Sequence, residues 1–517
     1  MSRNARPVQV SVLGDDGLAV AGGRDVVFDV LFDDTRVWGF TPEGDLDDEG
    51  RVRVAWPKVL RPLLDGVARV TVRQHHTGEV VADEEVAFGS GQGRVRVVDK
   101  AGRPVAVTKY GRLNHAFDTV DAATKAGYLD QVEEVLAVLR DECGLPAFVS
   151  WGTLLGAVRS GELIGHDVDA DLAYYSEHEH PVDVVRESFA VERALRARGW
   201  RVRRENGGFL ALFLPQADGT TRNMDVFTCW RTEGWLYLVH DVRARLPRSA
   251  VLPLSTVVLE GRRLPAPADP EALLAASYGP GWRVPDPSFT FTGDAARHRR
   301  MMGWLGGLRR RRDQWNSLYA ASRPDTEHSP FAGWVAARDA SGRDLVDLGS
   351  GRGADALWFA RQGRTVRGVD FVHSAVVRAT GTAETEGLPA TFEDLNLVDL
   401  RAPLALGADL ARRDPATLFS RQLLCELDDT TRAGLGRTVS MALRRGGDLF
   451  LEVHTTRTQL GKGVSCRGIS EDALAAFVED LGGTVEEQVV VRDPGLPPLA
   501  RLHARWPAPQ GAGEPQR

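Results

Sequence analysis

Three aspartates at alternating positions, Asp167, Asp169 and Asp171, constrain this chain more than any other feature. They follow the small-residue stretch Trp151-Gly152-Thr153-Leu154-Leu155-Gly156-Ala157-Val158-Arg159 and stand directly behind Gly165-His166. If Asp167 to Leu172 is extended, side chains alternate and all three carboxylates share one face. Like charges that close repel one another unless a cation neutralises them. Hard oxygen donors at this spacing suit Mg²⁺ or Mn²⁺, ions that handle phosphates. The pattern predicts a metal–phosphate site.

A second signature lies far downstream. Leu345-Val346-Asp347-Leu348 is a short apolar strand that runs into Gly349-Ser350-Gly351-Arg352-Gly353 and then a helix. Glycines there let the backbone pass close to a bound nucleoside, and Asp370, at the end of the next strand, supplies an acid for ribose hydroxyls. A Rossmann dinucleotide site would share these features. Here, however, the pattern is DxGxGxG and opens with an acid, which favours a cationic sulfonium cofactor. Two catalytic signatures in one chain argue for a bifunctional enzyme.

At 517 residues the chain should hold two to four domains. A composition of 43% hydrophobic and 26% charged residues is that of a folded soluble protein. The net charge of −7 argues against nucleic acid as the main partner. Cys143, Cys229, Cys425 and Cys466 lie far apart with no CxxC pair, which excludes the usual zinc spacings and argues against a disulfide framework. The start, MSRNARPVQV, lacks the apolar segment of a signal peptide, and no run is long enough to cross a bilayer. A cytoplasmic location is expected.

Residues 1–105 read as a β-rich accessory domain, an antiparallel sandwich with strands expected near Val8–Leu13, Val26–Phe32, Arg51–Trp56, Arg69–Arg73 and Arg94–Val98. His75-His76 within it reads as a solvated turn rather than a metal pair, because neighbouring strand residues face opposite ways. Residues 106–295 read as an α/β domain holding the aspartates, with a helix over Leu129–Leu139 and strands at Phe209–Leu214 and Met224–Phe227. Residues 296–325 form a basic linker and lead-in helix; its Arg297–Arg312 run has an electrostatic face that suits peripheral contact with an anionic surface. From 326 to 507 strands alternate with helices, as in a doubly wound parallel sheet. The tail 508–517 is expected to be disordered.

The combined pattern GTLLGAVRxGxxIxxDxDxDL resembles the LicD/fukutin-type nucleotidyltransferase-fold phosphotransferases, over roughly residues 113–290. The resemblance implies transfer of an alcohol phosphate, phosphocholine- or polyol-phosphate-like, from a CDP-linked donor to a glycan hydroxyl. It makes Asp169 and Asp171 metal ligands, Asp225 a third ligand or base, and Asp167 a supporting carboxylate. Gly152, Thr153 and Arg159 become donor-phosphate contacts. Gly165 and His166 stand where the family usually has a proline and an aromatic residue, a departure that bears on the donor pocket.

The downstream signature resembles class I S-adenosylmethionine (SAM)-dependent methyltransferases, over roughly residues 313–507. By that resemblance Gly349, Ser350, Gly351 and Gly353 line the cofactor, Asp347 sits near its methionine end and Asp370 takes the ribose. Asp394 matches the acid that meets the adenine amine, and Gln314–Tyr319 resembles the lead-in that closes over the site. The expectation is a bifunctional transferase with SAM and Mg²⁺ or Mn²⁺ as cofactors, acting on a cell-surface glycan or its precursor. Two alternatives stand beside it: a metal-dependent glycosyltransferase using a UDP-sugar, and a non-catalytic glycan-binding scaffold with an active methyltransferase.

Overall fold

The computed structural model describes residues 8–24, 26–108, 111–284, 294–309, 311–321, 327–399, 401–461 and 464–508. The expected tail therefore lies outside the described residues from 509 onward, as does the proline-containing stretch 285–293. The chain divides into two compact units, Met1–Leu305 and Gly306–Arg517.

Short alternating runs near the start of the first unit build two antiparallel sheets. One joins Gln9–Val12, Leu18–Ala21 and Arg51–Val54; the other runs in the order Thr35–Phe40, Phe28–Phe32, Gly66–Gln74, Val80–Phe88. Phe28, Val30, Trp56, Val70, Val72 and Phe88 fill the core they share. Val80–Phe88 was invisible to pattern reading because its Asp83-Glu84-Glu85 centre is polar. It forms through its ladder with Gly66–Gln74, reinforced by the Arg69–Asp83 ion pair at 2.7 Å. The strand expected near Arg94–Val98 is reduced to isolated bridges, Val67 with Arg94 and Val98 with Pro104. His75 is not a freely solvated turn residue: its Nδ1 lies 2.8 Å from the buried Asp29 carboxylate.

Next comes the helix Ala122–Asp141, capped by Asp121, whose side chain accepts from the Thr124 N–H at 2.7 Å. Its buried stripe of Leu129, Val132, Val135, Leu136 and Leu139 packs on a larger, seven-stranded sheet. That sheet runs Ala147–Val149, Ala170–Ser176, Thr221–Thr232, Phe209–Pro215, Arg201–Asn206, with Trp235–Leu238 and Val242–Ala244 added beside Thr221–Thr232. Ala170–Ser176 and Thr221–Thr232 are its parallel pair. The helix Ala295–Leu305, read in the sequence as the start of a linker, belongs to this unit: Met301 and Leu305 are buried in its core and the Leu305 carbonyl accepts from the Gly207 N–H.

In the second unit a seven-stranded sheet runs Ala390–Asp394, Val366–Asp370, Leu345–Leu348, Thr417–Arg421, Gly447–His454, Leu499–Trp506, Thr484–Val491. The first five are parallel, as their apolar runs and intervening helices predict. The sheet is mixed rather than wholly parallel, however, since Leu499–Trp506 pairs antiparallel with both neighbours. Strand order reverses beside Leu345–Leu348, and the crevice at the carboxyl ends of strands at such a point is where open α/β sheets bind ligands. Among the described residues no helix is long and apolar enough to cross a membrane.

A fragment ending at Leu305 should unfold cooperatively, whereas one ending at residue 294 should be markedly less stable. Met301 and Leu305 are 0% and 1% exposed, and removing a buried Met or Leu side chain costs about 2–5 kcal/mol. Urea unfolding of the two fragments checks this.

Candidate active sites

The turn expected at Gly152-Thr153 is the first turn of a helix, Trp151–Arg159, which starts directly from the strand Ala147–Val149. Trp151 opens it with φ of +41°, a conformation that strains a bulky side chain. The Gly152 N–H donates to Asp171 Oδ2 at 2.8 Å, and the Asp171 N–H donates to Thr153 Oγ1 at the same distance. A Cβ at position 152 would stand 2.7 Å from Asp167 Oδ2 and 3.1 Å from Asp171 Oδ2. A glycine here leaves the space above it to two carboxylates, which a Cβ would force aside.

The strand begins only at Ala170, so 167–169 is a bent approach and not the extended run the alternation suggested. The carboxylates still converge, for a different reason. The parallel register sets Asp171 opposite Asp225, and Asp169 lies one residue before the strand. Asp225 Oδ1 is sealed from solvent with no hydrogen-bond partner. Burial, then the charges of Asp169 and Asp171, pushes the Asp225 carboxyl well above the usual carboxylate range. An orphaned buried oxygen beside two further acids is the donor set that a hard divalent cation satisfies.

These acids line a cavity of about 850 Å³ together with Asp167, Gly152 and His166. Trp151, Phe227, His240 and Tyr278 form an aromatic wall, with Trp151 5.9 Å from Tyr278 and 6.1 Å from Phe227, both edge-on. Arg297 and Arg299 bring positive charge to the same cavity, which His298 also lines, its Nδ1 2.7 Å from Asp241 Oδ2. Sequence reading placed none of His240, Asp241, Arg297, His298 or Arg299 here. The basic run was the available signal, but its target is visible only once the helix Ala295–Leu305 docks.

Two residues expected at the donor phosphates do not line the cavity. Thr153 is 3% exposed and its hydroxyl accepts the Asp171 amide. The Arg159 guanidinium donates to the main-chain carbonyls of Trp282 and of Val284, the latter at 3.0 Å, and so anchors the Tyr278–Trp282 turn.

In the second unit a cavity of about 280 Å³ opens at the strand-order reversal, lined by Asp347, Gly349, Ser350, Gly351, Asp370 and Asn396 among others. Asp370 accepts from the Gly351 N–H at 2.9 Å and the Val372 N–H at 2.8 Å. Burial pushes its carboxyl up to about 6 even so. Asp347 is pushed well up by burial and by neighbouring Asp355. Asp355, which the motif reading left without a role, pairs with Arg421 at 3.0 Å and accepts from Ser329. Trp315 and Tyr319 of the lead-in helix line the cavity, and a Cβ on Gly351 would meet Tyr319 Oη at 2.9 Å.

Gly353 and Asp394 are placed differently from the rest of the motif. Gly353 does not line the cavity; its missing Cβ makes room for Ala379 and Phe392, each at 2.9 Å, with φ at +80°. Asp394 is exposed and pairs with His373 at 2.8 Å, while its neighbours Leu395 and Asn396 line the cavity.

With this geometry in hand, the comparisons with known proteins are specific for the first unit. Residues 144–269 match the family model of the LicD/FKTN/FKRP nucleotidyltransferase domain. No curated protein sequence matches the chain significantly. Among solved structures, the chain is similar to a SAM-dependent methyltransferase from Anabaena variabilis ATCC 29413, at 14% identity, covering 38% of this chain and 92% of that one with a TM-score of 0.31. It is also similar to magnesium protoporphyrin IX methyltransferase from Synechocystis PCC 6803 with bound SAH, at 18% identity over 37% and 92% of the two chains, TM-score 0.27.

Asp225→Asn should stabilise the protein at neutral pH in the presence of EDTA. A carboxyl whose folded pKa is raised contributes least when ionised, so stability falls as pH rises through that value, and asparagine removes the loss. Each kcal/mol regained would raise Tm by about 2–4 °C. Gly152→Ala should instead abolish the response of Tm to Mg²⁺, because its Cβ displaces Asp167 and Asp171. Melting curves with and without the ion check both.

Proposed function

We propose that the LicD-type domain transfers an alcohol phosphate from a CDP-linked donor to a hydroxyl of a glycan or polymer precursor. The observation that carries this reading is the sealed, unpartnered Asp225 oxygen beside Asp169 and Asp171, within residues that match the family. In this reading Asp169, Asp171 and Asp225 hold Mg²⁺ or Mn²⁺, which supplies charge stabilisation on the transferring phosphoryl group. Asp167 supports the cluster, and Gly152 keeps the floor clear. Arg297 and Arg299 take the donor phosphates, a role their cavity position suits better than that of Arg159. The acceptor oxygen bonds to phosphorus as the bond to the CMP leaving group breaks. The aromatic wall beside the acids favours a cationic alcohol of the phosphocholine kind over a neutral polyol.

The second unit, in the same reading, methylates an acceptor with SAM. Asp370 receives the ribose hydroxyls, Gly349, Ser350 and Gly351 admit the nucleoside, and Asp347 faces the sulfonium end. Such transfers work by proximity and alignment, so the absence of an assigned general base is no obstacle. The fusion of the two domains supports action on one cytoplasmic polymer precursor.

Asp171→Asn should lower Mg²⁺-dependent CMP release from CDP-choline by about 10²-fold or more, with methyl transfer from SAM unchanged. CMP release that survives the substitution, or turnover of UDP-sugars in place of CDP-alcohols, overturns the reading. SAM affinity, measured by calorimetry, should fall as pH drops through about 6, where Asp370 takes up a proton. Asp370→Asn should remove that pH dependence and weaken binding by roughly tenfold or more, as expected for loss of hydrogen bonds to a charged acceptor.

A further inference from the structure

The sequence holds no zinc-like cysteine spacing, yet the fold brings two distant cysteines together. Cys425, in the short turn Leu424–Glu426, and Cys466, at the end of the strand Val464–Cys466, are both fully buried. With Glu426 they present three donor atoms all within 4.8 Å of one another. Thiols alone would be ordinary core residues, since free cysteine behaves as a small apolar side chain. Glu426 does not fit that account. Its side chain is 4% exposed; one oxygen meets Arg311 at 2.6 Å, and the other, Oε1, is buried with no partner. Beside it, the His454 backbone N–H donates to the Cys425 sulfur. The His454 ring is 6% exposed, with neither nitrogen hydrogen-bonded. A buried carboxylate oxygen and a buried imidazole without partners are both costly to leave unsatisfied.

We propose that Cys425, Cys466 and Glu426 bind a zinc ion. Two thiolates and a carboxylate suit zinc and are softer than the all-oxygen cluster of the first unit. Charge balances as well: two thiolates and a carboxylate offset the divalent ion and the Arg311 guanidinium. The ion would be a structural pin. Gln422, Leu423, Glu426 and Arg467 line the cavity of this unit, so zinc at this point would tie both segments of that wall together. Arg311 bridges the same two segments, donating to the Glu426 carbonyl at 2.7 Å and the Ser465 carbonyl at 3.2 Å, and the Arg467 N–H meets the Cys425 carbonyl at 3.2 Å. Gln422 is held at φ of +59°, a strained conformation that such a pin would help maintain.

The test is elemental analysis of the full-length protein after reduction, zinc loading and gel filtration. About one zinc per chain is expected in wild type. It should be retained in Cys143→Ser and in Asp169→Asn, and lost in the Cys425→Ser/Cys466→Ser double variant. Replacing zinc by Co²⁺ should give a thiolate-to-cobalt charge-transfer absorption that the double variant lacks. Should the double variant fail to fold, Arg311→Met serves: as an outer partner of Glu426, its loss should weaken zinc by about 10–100-fold in a chelator competition. Wild type that holds no zinc, cobalt binding without the charge-transfer band, full affinity in Arg311→Met, or a Cys425–Cys466 disulfide in protein purified from a reducing compartment each overturns the proposal.

Discussion

The parallel ladder that sets Asp171 opposite Asp225 is the constraint around which the first unit is organised. It places two carboxylates side by side with Asp169 next to them, a disposition that costs free energy in the bare protein. The surroundings both hold and tolerate it. The Gly152 amide and the Thr153 hydroxyl fix Asp171 from the helix Trp151–Arg159. Tyr128, wholly buried, receives the Ala170 N–H at 2.8 Å and donates to the Asn223 carbonyl, so one side chain joins the two acid-bearing strands. Arg222 donates to the carbonyls of His115 and Val168 and fixes the bent approach to the strand. These contacts keep the acids from relaxing apart, and strain of this kind is what a bound cation relieves.

The second unit meets an opposite electrostatic problem with similar means. Asp347, Asp355 and Asp370 lie close together under a glycine-rich turn, but here amides and an arginine compensate them: Gly351 and Val372 donate to Asp370, and Arg421 pairs with Asp355. Asp370 thus carries a defined hydrogen-bond load and spare acceptor capacity toward the cavity. The first unit leaves an acid orphaned, whereas the second gives Asp370 two backbone amides and Asp355 an arginine. That contrast suits an ion in one case and a nucleoside in the other.

Much of both sites was legible because the chemistry is concentrated in short segments. Asp167, Asp169 and Asp171 lie within five residues, and the turn from Asp347 to Gly353 within seven. Periodicity located the helix over Leu129–Leu139, and the alternation of short strands with helices located the parallel sheet. It missed Val80–Phe88 and the antiparallel strands Thr484–Val491 and Leu499–Trp506. Their polar or mixed sequences become strands only through a ladder partner, and no local pattern encodes a partner. Arg159 and Gly353 were placed by motif order, yet each is spent on packing: one on the carbonyls of a distant turn, the other on the approach of Phe392.

The sequence by itself determined which groups are available: hard acids after a small-residue helix start, glycines after an apolar strand, and enough apolar residues at the right periods to bury several separate cores. Only the tertiary structure decided which of those groups meet. It brought Asp225 to Asp171, more than fifty positions apart, through a parallel register. It turned Arg297 and Arg299 toward the acids by docking a helix that reads as a linker. It also gathered Cys425, Glu426 and Cys466 although no spacing announces them. The physical reason is the same each time. Local sequence fixes backbone preference and side-chain chemistry, whereas convergence of distant side chains depends on strand pairing and core packing, whose energies are summed over the whole unit.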